Sequence, residues 1–205
     1  MPEPGEIAAI ILAAGASSRF GSDKLLHPVS INGITLPLAA HSLLPWLKTF
    51  GHVTVVVNPA AETLCSAVEE ALSTKQIGKI HWAINQHAAL GLATSLATGV
   101  RMTHDAAGWL IGLADMPLIQ AKVIDRVRLA LMDGAQLAAP SHNGRHGHPV
   151  GFTSQYREEL LALKGDTGGR TLLKRDRAKI VQINIDDDGM FKDIDTQTDL
   201  QCLSY

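Results

Sequence analysis

The chain of 205 residues has only two cysteines, Cys65 and Cys202, far apart and with no Cys-x-x-Cys pair. Neither a disulfide framework nor a zinc knuckle is written here. A charge excess is lacking too, the formal net charge being −2. Without a basic surplus the chain is a poor partner for polymeric DNA or RNA, which bind through phosphate neutralisation. No apolar run approaches the ~20 residues needed to span a bilayer, so no membrane association is expected. Met1-Pro2-Glu3-Pro4-Gly5-Glu6 carries acid where a secretory leader carries Lys or Arg. The expected compartment is the reducing cytoplasm. Two familiar phosphate signatures are also missing. Gly15 and Gly21 are six apart and followed by Ser22-Asp23, which excludes the Walker loop, and no Gly-x-Gly-x-x-Gly follows the first strand.

What is present is an enzyme-sized chain. Apolar residues make up 46%, and a chain of this length buries roughly 70% of its unfolded surface around one core. Strand-like and helix-like segments alternate, the pattern of an α/β fold with a mainly parallel sheet. Strands are expected at Ile7–Leu12, Val53–Val57, Ile80–Ile84, Trp109–Leu113, Gln136–Ala139 and Val150–Thr153. Helices are expected at Leu36–Leu47 with Pro37 in the first turn, near Ala61–Leu72, at Leu92–Met102 and at Ala121–Met132. There is no repeat or linker, so one domain over 1–205 is expected.

The most informative stretch runs from Ile10 to Lys24. An apolar strand breaks into small residues, then offers Arg19 and Lys24 five apart around Gly21. Small residues let a phosphate chain approach the backbone, free N–H groups can point at it, and the cations neutralise it. The loop therefore reads as a triphosphate cradle, with Leu12, Ala13, Ala14 and Gly15 forming its backbone wall.

In an open parallel sheet the ligand lies beyond the carboxyl ends of the strands. Asp115, in Gly112-Leu113-Ala114-Asp115-Met116-Pro117, surfaces at such an end. It suits Mg²⁺, which takes few protein carboxylates and completes its shell with phosphate and water; a turn or cap role is the alternative. Near the C-terminus, Asp193 and Asp195 alternate around Ile194 and share one side of an extended segment. Either can supply a second carboxylate, and Thr196 or Asp195 can instead cap a final helix. Asp186-Asp187-Asp188 reads as a solvated turn. Three of the nine histidines, His142, His146 and His148, crowd one loop. They could hold a transition metal, but glycines and Arg145 interrupt them and no cysteine supports them.

Leu12-Ala13-Ala14-Gly15-Ala16-Ser17-Ser18-Arg19-Phe20-Gly21-Ser22-Asp23-Lys24 resembles the Leu-Ala-Ala-Gly-x-Ser-x-Arg-x-Gly-x-x-Lys signature of the MobA-like nucleotidyltransferases, and within them the molybdenum cofactor cytidylyltransferases. Four further segments are similar to family motifs in the family's order: Gly91 to Leu96, Ala114-Asp115-Met116-Pro117, Gly144 to Val150 with Gly165 to Leu173, and Asp193 to Leu200, where Gln197-Thr198 replaces Pro-Glu.

The resemblance implies a Rossmann-like three-layer α/β/α fold and transfer of CMP from CTP to the phosphate of molybdenum-bound molybdopterin. It implies Mg²⁺ on Asp115 and Asp195, with Arg19 and Lys24 on the β- and γ-phosphates. Gly91 and Ser95 would line the nucleotide pocket, in a nucleotide-binding half to about residue 118, and Arg145, His148 and Arg170 would contact the acceptor, in an acceptor-binding half from about 119. A target molybdoenzyme would be a further partner. Relatives that use GTP carry Leu-Ala-Gly-Gly, so the methyl of Ala14 favours the smaller pyrimidine. The alternatives are the guanylyl branch, another phosphorylated acceptor, and a non-catalytic cofactor chaperone.

Overall fold

A computed structural model describes residues 5–15 and 23–201. Strand β1, Ile7–Leu12, is buried along its whole length and splits its side chains between two cores. Ile7, Ala9 and Ile11 enter one cluster, and Ala8, Ile10 and Leu12 the other. Such two-sided burial is what a continuous apolar strand requires, since successive side chains point to opposite faces.

The chain then forms a hairpin, β2 (Pro28–Ile31) and β3 (Ile34–Pro37), before helix α1 (Leu38–Thr49). Strand β4 (Val53–Val57), helices α2 (Glu62–Ala71) and α3 (Thr74–Ile77), and strand β5 (Ile80–Ile84) follow. Next come α4 (Leu92–Met102), β6 (Gly108–Leu113), α5 (Ala121–Met132) and β7 (Leu137–His142). The last third holds β8 (Arg145–His146), β9 (Val150–Thr153), α6 (Arg157–Ala162), α7 (Arg170–Arg175), β10 (Ile180–Asn184) and α8 (Gln197–Gln201).

The main sheet has the order β10-β7-β9-β6-β1-β4-β5, with β8 paired to β7. β1 pairs in parallel with both β4 and β6, placing Leu12 beside Val56 and Leu113. β9 runs antiparallel to its neighbours β6 and β7. One face is covered by α1, α2 and α5 through Leu43, Trp46, Val68 and Ile124, and the other by α4, α6 and α7 through Leu96, Leu160 and Leu172. The architecture is the expected three-layer α/β/α with a mainly parallel sheet. Gly112 lets α1 pack closely, because a Cβ there would lie 2.2 Å from the Trp46 ring. No helix among the described residues is long and apolar enough to cross a membrane.

Two sequence expectations need correction. The helix expected from Leu36 begins at Leu38, because Leu36 and Pro37 belong to β3. The cause is Asn32-Gly33, whose φ values of 52° and 76° make the two-residue turn that matches strand twist. The strand expected over Gln136–Ala139 runs from Leu137 to His142, because β10 pairs along it as far as Ser141 and β8 pairs with Ser141 and His142. β10 itself was not expected; only Ile180 and Ile183 of it turn inward, as an edge strand permits.

Candidate active site

The adjacent ends of β1, β4, β5 and β6 open on one side of the sheet. The β1 ladder continues past its last strand residue, Ala13 N–H donating to Val56 O and Ala114 N–H to Leu12 O. Leu12 to Gly15 therefore line an open trough between β4 and β6. It is a cavity of about 730 Å³, walled also by Lys24, Asn58, Gln86, Gly91, Ser95, Asp115, Asp166 and Asp195.

Lys24 is delivered by a short 3-10 turn, Lys24–Leu26. Asp23 caps that turn by accepting from Leu25 N–H, and the buried Leu25 anchors it. Its ammonium Nζ lies 2.7 Å from Asp115 Oδ2 and 2.8 Å from Asp195 Oδ1. Burial pushes the Lys24 pKa down, but Asp115 and then Asp195 outweigh it and hold it above the ordinary lysine value. Lys24 is a full cation at physiological pH.

The two carboxylates arrive from distant parts of the chain. Asp115 follows β6, and its carbonyl accepts from Ile194 N–H at 3.0 Å, which brings the C-terminal segment alongside. Asp195 is then held by Asp199, whose Oδ2 accepts from Asp195 N–H at 3.0 Å, Thr196 N–H at 2.7 Å and Thr196 Oγ1 at 2.9 Å. Thr196 Oγ1 accepts Asp199 N–H in return, a reciprocal cap of α8. The Thr196 hydroxyl and amide and the Asp195 amide together hold the Asp199 pKa below the usual carboxylate value. Asp199→Ala should cost about 1 kcal/mol of stability through the lost cap. It should also weaken Mn²⁺ binding severalfold by loosening Asp195; thermal melts and calorimetry read the two effects separately.

The donor set suits a hard divalent cation. Asp115 Oδ1 is buried and has no hydrogen-bond partner, and Asp195 lies across Lys24 from Asp115. Two carboxylates beside an open trough leave room for the phosphate and water oxygens that Mg²⁺ retains. Among the described residues, no three His, Cys, Asp or Glu side chains gather into a metal cluster. His142 Nδ1 is 3.0 Å from Ile185 O, and His146 lies beside Gln182 and Arg177.

The expected site residues divide into two groups. Leu12, Ala13, Ala14, Gly15, Lys24, Gly91, Ser95, Asp115 and Asp195 share the cavity, while Arg19 lies outside the described residues. Arg145, His148 and Arg170 do not line it. The Arg145 guanidinium sits 4.4 Å above the Phe191 ring, and Arg170 opens α7 on the surface. Burial lowers the His148 pKa, against the opposing pull of Asp115, a backbone hydrogen bond at Ile111 and Asp193. His148 is thus a neutral ring behind Asp115, followed by a cis bond to Pro149.

Sequence reasoning missed Asn58, Gln86 and Leu92 as cavity walls. The available signal was positional, since Asn58 and Gln86 follow the ends of β4 and β5. It also missed Asn85, which is buried and donates to Thr94 Oγ1 at 2.9 Å and Ser95 Oγ at 3.0 Å. Asn85 thereby fixes the start of α4 against β5. Asp166, in the turn before α7, accepts from Leu92 N–H at the N-terminus of α4.

Comparison with known proteins agrees with this geometry. The chain is 30% identical over 198 residues to the purine catabolism protein PucB of Bacillus subtilis (strain 168), covering 93% of this chain and 92% of that protein. The crystal structure of Rv0371c from Mycobacterium tuberculosis H37Rv superimposes with a TM-score of 0.77 at 24% identity, covering 98% of this chain and 99% of that one. A manganese complex of Rv0371c gives a TM-score of 0.73 at 22% identity, covering 97% of both. The molybdopterin-guanine dinucleotide biosynthesis protein A of Archaeoglobus fulgidus gives 0.60 at 16% identity, covering 96% of both. Residues 9–180 match the MobA-like NTP transferase domain, from the first strand to the start of the last, and the chain belongs to that family of nucleotidyltransferases.

Proposed function

We propose that the protein transfers CMP from CTP to the phosphate of molybdenum-bound molybdopterin, forming molybdopterin cytosine dinucleotide and releasing pyrophosphate. The observation that carries this reading is Lys24 Nζ held between Asp115 and Asp195 in an open cavity that the Leu12–Gly15 loop also lines. A phosphate monoester is already a nucleophile, so no side chain has to be one. An acceptor oxygen forms a bond to the α-phosphorus while the bond from that phosphorus to the bridging oxygen breaks, and pyrophosphate leaves with its electron pair.

The protein's work is alignment and charge neutralisation. Lys24 would turn from the carboxylates to the phosphate chain, and Arg19 would join it there. Asp115 and Asp195 would hold Mg²⁺, which when bound neutralises charge on the α-phosphate. The Leu12-Ala13-Ala14-Gly15 backbone supports a pyrimidine, because the Ala14 methyl narrows the trough. One methyl supplies ~1–3 kcal/mol of discrimination, so Asn58 and Gln86 must add to it. Arg145, His148 and Arg170 stand outside the nucleotide cavity, in the half assigned to the acceptor.

The test is pyrophosphate release with Mg²⁺, molybdopterin and each of CTP, GTP, ATP and UTP. Release with CTP that depends on molybdopterin is the expected result. Release with GTP instead places the protein in the guanylyl branch, and no release with any of the four overturns the enzyme reading.

A further inference from the structure

Four ionisable residues with described positions line the nucleotide cavity, and three of them meet at its floor. The fourth, Asp166, belongs to a different environment. It comes from the turn between α6 and α7, and its Oδ1 accepts from Leu92 N–H at 3.2 Å at the start of α4. The neighbouring Gly165 carbonyl accepts from Ala93 N–H at 3.0 Å. Close approach of the two segments depends on Gly91, whose φ is +106° and whose Cβ, were it present, would lie 2.5 Å from the Gly165 carbonyl carbon and 2.6 Å from Asp166 Oδ1. The clamp thus fixes one carboxylate on the cavity wall, with Oδ1 engaged and Oδ2 left to accept another donor.

A carboxylate is the wrong group to place against a triphosphate, and nothing cationic shares this wall among the described lining residues. Its complement in a nucleotide is a neutral hydroxyl donor. Acidic side chains at the edge of nucleotide pockets serve ribose hydroxyls in this way. We propose, resting on the nucleotidyltransferase reading above, that Asp166 is a specificity residue that accepts a hydrogen bond from the ribose 2′- or 3′-hydroxyl of the nucleoside triphosphate, so that the turn of the acceptor-binding half selects ribonucleotides.

The experiment is calorimetric titration of wild type, Asp166→Asn and Asp166→Ala with CTP and with 2′,3′-dideoxy-CTP in Mg²⁺, alongside thermal melts. Wild type should bind CTP about tenfold tighter than the dideoxy compound, as a hydrogen bond to a charged acceptor near solvent gives. Asp166→Ala should reduce that ratio to near one. Asp166→Asn keeps an acceptor for Leu92 N–H, so it should melt like wild type while losing most of the discrimination. Equal weakening of both ligands in Asp166→Ala would make Asp166 a helix cap alone and overturn the proposal. A wild-type ratio near one, or a variant that shifts CTP against UTP but leaves the ribose ratio intact, would overturn it too. If GTP binds and CTP does not, the base assignment fails separately, and GTP with its dideoxy form tests Asp166 in the same way. Absence of binding by every nucleotide overturns both readings.

Discussion

Asp115→Asn should lower nucleotidyl transfer by about a thousandfold while the protein stays folded. The substitution keeps the side chain's shape and leaves Lys24 paired with Asp195, so the loss falls on chemistry rather than on packing. Asp115 Oδ1 is buried without a partner and Oδ2 faces the Lys24 ammonium at 2.7 Å. A carboxylate so placed contributes by gathering positive charge against the phosphates in the transition state. Removing a metal ligand, the role proposed for Asp115, costs several kcal/mol of transition-state stabilisation, and a thousandfold corresponds to about 4 kcal/mol. The same variant should lose Mn²⁺ binding in a titration followed by calorimetry. Asp193→Asn is the matched control, since Asp193 lies two residues before Asp195 but is exposed and makes no contact with Lys24 among those described. Equal effects of the two substitutions, or activity of Asp115→Asn within tenfold of wild type, would remove Asp115 from the reaction centre.

Much of this arrangement was legible because it is local. β1 is an uninterrupted apolar run and β4 is broken only by Thr54, and burial on both faces leaves no other way to write a central strand. Asp115 and the Leu12–Gly15 loop were readable for a related reason: each follows a strand that ends abruptly, where an open sheet presents its ligand site. The hairpin at Asn32-Gly33 had a clear turn signal, but the apolar residues from Leu36 onward fit a helical face equally well, and the strand took the first two of them. What lay beyond local reading was the meeting of distant residues. Lys24 is 91 residues from Asp115 and 171 from Asp195, and no spacing rule encodes their contact. The same holds for Asp166, which serves α4 from 74 residues away. Asn58 and Gln86 carry no motif; only the strand order brings them to the cavity.

Lys24→Met should separate two roles that a simple phosphate contact would not. Transfer should fall by roughly a hundredfold, the scale seen when one preorganised donor to developing charge is removed. Divalent cation binding without nucleotide should move the other way and tighten, because the ammonium lies between Asp115 and Asp195 at 2.7 and 2.8 Å. A second cation entering there must displace the first or be repelled by it. Stability gives a third readout with a definite sign. The Lys24 pKa is raised in the folded protein, so its contribution is present below the ordinary lysine value of 10.5 and disappears as pH climbs through the raised one. In Lys24→Met that alkaline loss should vanish. Titration of wild type and Lys24→Met with Mn²⁺, with and without CTP, separates the outcomes. Tighter binding without CTP together with lost transfer supports a lysine that yields its place as nucleotide and cation enter together. Unchanged or weaker Mn²⁺ affinity would mean that the ammonium and the cation occupy different positions, and the carboxylate pair would then need another seat for its metal.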